Sequence, residues 1–161
     1  MKKIEYKKFN ALDPLEFMTV LNEQSIRSHL IAHGLFEESS VKEWVAGKIE
    51  VDAIAGCRVR AVYCDSQLVG WCGLQKEQAH FEVAIVISKN AWGIGSQIFR
   101  EMMRWSVELR HKEVVIHLLE TRPQYKFLQK ISTRSYRTQM LGRQFTTYHL
   151  QVALSSQQET S

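Results

Sequence analysis

Phe81-Glu-Val-Ala-Ile-Val-Ile-Ser-Lys-Asn-Ala-Trp-Gly-Ile-Gly-Ser-Gln-Ile-Phe-Arg100 reads as a buried strand, a short glycine loop and the start of an amphipathic helix. Gly93 and Gly95 let the main chain approach a ligand and adopt conformations closed to other residues. The first N–H groups of the following helix have no intrahelical partner and lie at the positive end of its dipole, an arrangement that suits a phosphate. No Gly-x-x-x-x-Gly-Lys-Ser/Thr occurs, and Ile98 stands where the third glycine of a dinucleotide fingerprint would be. A tight turn before a helix also uses glycines for steric reasons, so the loop alone leaves both readings open.

Downstream, Ile98, Met102, Trp105 and Leu109 recur at helical spacing, with Arg104 and Glu108 as an outward pair, and the helix runs to about Arg110. Glu113-Val-Val-Ile-His-Leu-Leu-Glu120 then reads as a strand. Strand 80–88, helix 93–110 and strand 113–120 make a strand-helix-strand unit with a right-handed parallel crossover. The glycine loop therefore lies at a strand's carboxyl end, in the crevice where open α/β sheets bind ligands. Upstream, 57–64 and 68–74 flank the polar turn Asp65-Ser66-Gln67 as a hairpin, and strand 80–88 extends its sheet. Gly70 and Gly73 inside this hairpin point to a bend or a close backbone approach.

The N-terminal third reads as an edge strand over 3–9 and two helices. The first is capped by Asp13-Pro14 and runs to about residue 30, with Leu15, Met18, Leu21 and Ile26 inward and Gly34 near its end. The second is short, opened by Ser40-Val41-Lys42-Glu43 as a capping box. A helix over 123–132 and an antiparallel pair, 134–142 with 145–154, close the chain before a polar tail over 155–161.

The chain has 161 residues, 45% of them hydrophobic and 24% charged, which suits one domain over 1–154. No apolar run reaches the ~20 residues of a membrane span and no signal-peptide core opens the chain, so a cytoplasmic protein with no membrane partner is expected. Cys57, Cys64 and Cys72 form no Cys-x-x-Cys pair, and the six histidines show no ligand pattern beyond the i,i+4 spacing of His29 and His33. Reduced thiols and no metal centre are expected. Residues 100–143 carry ten Lys or Arg against four Glu, a net +6, which suits a polyanionic cofactor. A nucleic-acid partner is disfavoured, because exposed aromatics are not interleaved with these basic residues. A homodimer stays open.

The order of elements resembles the GNAT superfamily of N-acetyltransferases over most of the chain. Leu68-Val-Gly-Trp-Cys-Gly-Leu74 is similar to that family's third strand, Glu82-Val-Ala-Ile-Val-Ile-Ser88 to its fourth, and Trp92-Gly-Ile-Gly-Ser-Gln-Ile98 to its pyrophosphate loop. The family's loop runs Arg or Gln, two residues, Gly, any residue, then Gly or Ala; Gly93 and Gly95 match, and Asn90 departs from it. The resemblance implies a mixed central sheet of six to seven strands flanked by about four helices. It implies acetyl-CoA as co-substrate, the main chain at Val86, Ile87 and Ser88 against the pantetheine arm, and Trp92, Gly93, Ile94, Gly95, Ser96 and Gln97 around the pyrophosphate.

It also implies transfer of an acetyl group to a small-molecule or peptide amine by direct attack. A base must accept the amine's proton and a donor must assist the departing thiolate. Glu82 is the leading base, with His80 and His117 as substitutes. The family's usual tyrosine acid is replaced by Leu128 within Phe127-Leu-Gln-Lys-Ile-Ser-Thr133, Ser132 replaces a glycine there, and Thr121-Arg122-Pro123 replaces the common asparagine. Tyr125 and Tyr136 are the neighbouring hydroxyls that could act instead. Glu37 and Glu38 would suit a cationic acceptor. The alternatives are a module that binds acyl-CoA or a nucleotide without catalysis, and an RNA-directed protein.

Overall fold

A computed structural model describes residues 2–27, 35–120, 126–140 and 142–152. Strands β1 (Ile4–Lys7), β2 (Arg58–Cys64), β3 (Gln67–Glu77), β4 (His80–Ile87), β5 (Glu113–Leu119), β6 (Ser132–Met140) and β7 (Arg143–Gln151) form one sheet in the order β1-β2-β3-β4-β5-β7-β6. Every neighbouring pair is antiparallel except β4 with β5. The helices are α1 (Pro14–Leu21), α2 (Gln24–Arg27), α3 (Glu38–Asp52), α4 (Gly95–Glu108) and α5 (Lys126–Ile131). A mixed seven-stranded sheet with flanking helices is therefore observed, and α4 links the parallel pair as expected.

Alternation of side chains along the strands sends two sets of residues to opposite faces. Val83 and Ile87 of β4 pack with Ile98, Met102 and Met103 of α4 and with Leu128 of α5. The other face carries Val59, Ala61 and Trp71 against Phe9, Phe17, Leu21, Val41 and Val45, which α1, α3 and the 3-10 turn Phe9–Ala11 supply. Phe9, Phe17, Trp44 and Trp71 form a cluster of ring contacts there, with centroids 4.7 to 6.5 Å apart.

Several boundaries differ from the sequence reading. The first helix ends at Leu21 instead of near residue 30, because the Asn22 side chain turns to Phe36: Nδ2 donates to its carbonyl at 3.0 Å and Oδ1 accepts its N–H at 2.8 Å. The expected continuation past residue 27, with Gly34, His29 and His33, lies outside the described residues, as do 153–154 and the tail. The second helix is longer than expected at 15 residues, and Ser40 sits inside its first turn, where Oγ accepts the Glu37 N–H at 2.8 Å. Asp13 caps α1 as expected, accepting from Leu15 N at 3.0 Å. Arg104 and Glu108 do not pair; Arg104 pairs with Glu101, and Glu108 with Arg58.

The β2–β3 hairpin closes through Asp65 and Ser66, whose φ values of 50° and 69° are those of a tight primed turn. Gly70 has a φ of +156°, and a Cβ there would lie 2.0 Å from the Val86 carbonyl oxygen. A Cβ on Gly73 would lie 2.4 Å from Val59 Cγ1. Both glycines thus mark close backbone approaches, the first against the end of β4. All three cysteines are free and buried.

Candidate active site

The register between β4 and β5 holds a single residue pair, Glu82 with Val115. Beyond it the strands separate, and a cavity of about 680 Å³ occupies the split. Val83, Ile85, Ile87, Ile116 and Leu119 line it from the two strands, and Phe99, Phe127 and Leu128 from the helices α4 and α5. Trp44, Lys48, Trp71, Gln75, Glu82 and His117 line it from the opposite face of the sheet. The cavity therefore joins an apolar half to a half that carries ionisable groups.

The apolar half ends at the glycine loop. Lys89–Ile94 is a 3-10 turn that runs into α4, and Ile94 caps α4 with no side-chain hydrogen bond. Gly93, Gly95 and Ser96 line the cavity, whereas Ile94 is buried in the core and Gln97 is exposed. Trp92 belongs to the same turn. Neither Gly93 nor Gly95 has a positive φ, so the special backbone conformations expected of them are not used; helical winding of the turn keeps φ negative. What they provide is room, since a Cβ on either would meet nothing within 4 Å.

Of the three residues at the end of β4 and just beyond it expected to face the cofactor, Ser88 donates its N–H to the Val69 carbonyl at 2.8 Å and its hydroxyl to Glu23 at 2.6 Å. Main-chain groups alternate sides along a strand, so Ser88 and Val86 face β3, while Ile85 and Ile87 face the split. Val86 and Ile87 both line the cavity.

In the polar half, Gln75 Nε2 donates to Glu82 Oε1 at 3.4 Å, and Lys48 Nζ donates to Gln75 Oε1. His117 Nε2 lies 3.8 Å from Glu82 Oε2 and 3.1 Å from Glu77 Oε1, and its Nδ1 meets Thr147 Oγ1 at 2.7 Å. Burial, reinforced by Glu77, pushes the Glu82 carboxyl up to about 7, while Gln75 and Lys48 pull the other way. Burial lowers the Lys48 ammonium to about 8 against the opposing pull of Glu82. Lys48 Nζ sits 4.2 Å from the centre of the Trp71 ring and 5.6 Å from that of Trp44. Trp71 Nε1 is buried with no hydrogen-bond partner among the described residues.

The structure thus brings Glu82 and His117 together in the cavity and leaves Tyr136, one of the two expected acids, elsewhere. Tyr136 sits on edge strand β6, does not line the cavity, and binds His149 Nε2 through its hydroxyl at 2.8 Å. Tyr125 and Thr121-Arg122-Pro123 lie outside the described residues. Leu128 places an apolar side chain against the cavity. Glu37 precedes α3 and Glu38 pairs with Lys42 at 3.1 Å; neither reaches the cavity. His80 lies outside it, in a second cluster with Glu113 and His149. Sequence reasoning missed Lys48, Gln75, Glu77 and Trp71, which gather only when α3, β3 and β4 are packed together.

No protein-family model matches the sequence, and no curated protein matches it. Solved structures do match. A GNAT-family acetyltransferase from Streptococcus pneumoniae superposes with a TM-score of 0.65 at 16% identity, covering 93% of this chain and 97% of that one. A GNAT-family acetyltransferase from Bacillus anthracis gives 0.68 at 14% identity, with 94% and 95% covered. Spermidine N-acetyltransferase from Vibrio cholerae, solved with CoA and spermine, gives 0.65 at 17% identity, with 93% and 95% covered. The fold of this chain is the GNAT acetyltransferase fold. Among the described residues no helix is long and apolar enough to cross a membrane.

Proposed function

We propose that the chain is an acetyl-CoA-dependent N-acetyltransferase in which a small amine attacks the thioester directly and Glu82 accepts its proton. The observation that supports this most is the split itself: one cavity holds open β4 main chain, an uncapped helix N-terminus and a carboxyl raised to about 7. The residues present fit the cofactor. Ile85 and Ile87 offer N–H and C=O groups toward the split, and the amides from Gly93 to Gln97, with Trp92 in the turn before them, offer donors to a pyrophosphate. The missing Cβ atoms of Gly93 and Gly95 leave space beside those amides.

Acetyl-CoA supplies an activated acetyl group when bound; the chain's own residues manage the amine and its proton. A primary amine is mostly protonated at neutral pH and cannot attack until that proton leaves. A base with a value near 7 is matched to that task, being half ionised at the working pH while still binding a proton usefully. His117, anchored by Thr147, borders Glu82 and Glu77 and offers the proton a further acceptor. Trp71 lines the cavity and carries a buried, unpaired Nε1, so a small rotation of its ring would bring a donor to a developing negative charge where Leu128 offers no hydroxyl.

The acceptor is a small cationic amine in this reading. Lys48 already holds its own ammonium over the Trp71 ring, next to Gln75 and the Glu82 charge, so these walls tolerate a primary amine. The spermidine enzyme that shares the fold acts on such a compound. Leu128 in the tyrosine's place supports the second reading, a module that binds acyl-CoA without turning it over. Thermal unfolding with excess acetyl-CoA, followed by CoA release with a panel of amines, separates the two. Stabilisation with release supports the enzyme, stabilisation without release the module, and neither effect removes both. RNA binding that falls steeply with salt would revive an RNA-directed role.

A further inference from the structure

At the other end of the split, three strands bring together a second set of metal-ligating atoms. His80 opens β4, Glu113 opens β5 and His149 lies near the end of β7. His149 Nδ1 is 2.7 Å from Glu113 Oε1, His80 Nδ1 is 3.9 Å from the same oxygen, and one ligand atom from each residue lies within 4.8 Å of the others. The two rings meet edge to face with centroids 5.2 Å apart. A tetrahedral ion with bonds of about 2.0–2.1 Å separates its ligands by about 3.3 Å, a value that the first two distances bracket.

Three features favour an ion over a plain hydrogen-bonded pair. Both imidazoles present Nδ1 to one carboxylate oxygen from separate strands, so the set is held by the sheet and not by mobile loops. The remaining nitrogen of His149 meets the Tyr136 hydroxyl at 2.8 Å, the outer partner that fixes the tautomer and orientation of a metal-binding histidine. His149 is fully buried while His80 and Glu113 remain solvent-exposed, which gives a rigid base with an open entrance. A pair of imidazoles with one carboxylate is a donor set for zinc and its neighbours, not for magnesium or calcium.

We propose that His80, Glu113 and His149 form a binding site for a divalent transition ion of the zinc class, with Tyr136 as the outer partner of His149. The ion would tie the first residues of β4 and β5 to β7, on the far side of the one registered pair from the apolar half of the cavity. It would act as a clamp at the base of the split. This inference does not rest on the acetyltransferase reading.

The test uses the full, tag-free chain, stripped with chelator and titrated with Co²⁺ and then Zn²⁺. One Co²⁺ per chain with the intense visible bands of a four- or five-coordinate site, displaced by Zn²⁺, is expected. His80→Ala, at an exposed position, keeps the fold by circular dichroism and weakens binding at least tenfold. His117→Gln, in the neighbouring Glu77–Glu82–His117 cluster, changes it less than about twofold. Glu113→Gln should behave as His80→Ala does. No ion retained at about 100 μM metal, retention unchanged by His80→Ala, or loss through His117→Gln or His33→Ala would each overturn the proposal.

Discussion

The two halves of the cavity are built from different materials. The half bounded by α4 and the glycine turn offers main chain: N–H groups, carbonyls and the space left by absent side chains. The half bounded by α3 and β3 offers side chains, and its character depends on Lys48, Gln75, Glu82 and His117 each reaching a particular neighbour. Main-chain recognition tolerates almost any sequence that keeps the shape, whereas side-chain chemistry fails with one substitution. In the proposed acetyl transfer, binding of the carrier and transfer of its cargo should therefore be separable by mutation.

The sharpest way to break that separation is Gly95→Trp. The added ring enters open space, so thermal stability should stay within a few degrees while the stabilisation by acetyl-CoA, about 2.7 kcal/mol at 100 times the dissociation constant, disappears. Retained stabilisation would take the turn out of the binding half. Glu82→Gln should act the other way, lowering kcat by about 10²–10³-fold with acetyl-CoA affinity changed less than twofold. In the wild type, kcat/KM should climb about tenfold per pH unit until it levels off above about 7, because in the proposed mechanism the ionised carboxylate is the active form. The glutamine variant should lack that limb.

Glu82 also gives the comparison a stability readout. Its proton is held more tightly in the folded chain than at the ordinary value of 4.5, so the protonated group favours folding, fully below pH 4.5 and progressively less as the pH rises through about 7. Glu82→Gln should accordingly gain stability over the wild type at pH 8, on the order of 2 kcal/mol, and little at pH 5, as chemical denaturation would show. Trp71→Phe keeps an aromatic face but removes the second ring of the indole together with the unpaired N–H; a loss of about tenfold in kcat at constant acetyl-CoA affinity is expected. Lys48→Met should have the smallest effect, moving the pH limb upward by a fraction of a unit because Lys48 holds the Glu82 value down. A downward shift would show that the two charges do not communicate.

The same division explains what could be read from the residues alone. Gly93 and Gly95 between an apolar strand and an amphipathic helix locate the main-chain half, because that geometry is contiguous in the chain. The parallel crossover follows from the same stretch, and Gly70 announces its close approach to Val86 through the oddness of a glycine inside a strand. Glu82 is visible as a lone carboxylate in an apolar run, but its raised value is not, since burial and Glu77 act only after β3 folds against β4. Lys48 is one of many helix lysines until Trp71 and Gln75 surround it. By its place in the sequence Tyr136 is a hydroxyl near the right helix; β6 instead carries it to the sheet edge, where His149 holds it. His80, Glu113 and His149 are separated by 33 and 36 positions, a spacing with no local signature.

The single registered pair between β4 and β5 has one more consequence. A sheet joined there by one rung leaves the open edge of β4 without β5 partners, and a ligand lying along that edge would serve as the missing rungs. Amide hydrogens of Ile85 and Ile87 should therefore exchange quickly in the free chain and slowly once acetyl-CoA is present, while those of Val59 and Leu74 hardly change. In the proposed acetyltransferase reading the co-substrate is borrowed structure, and the chain's resistance to proteases would follow the supply of acetyl-CoA.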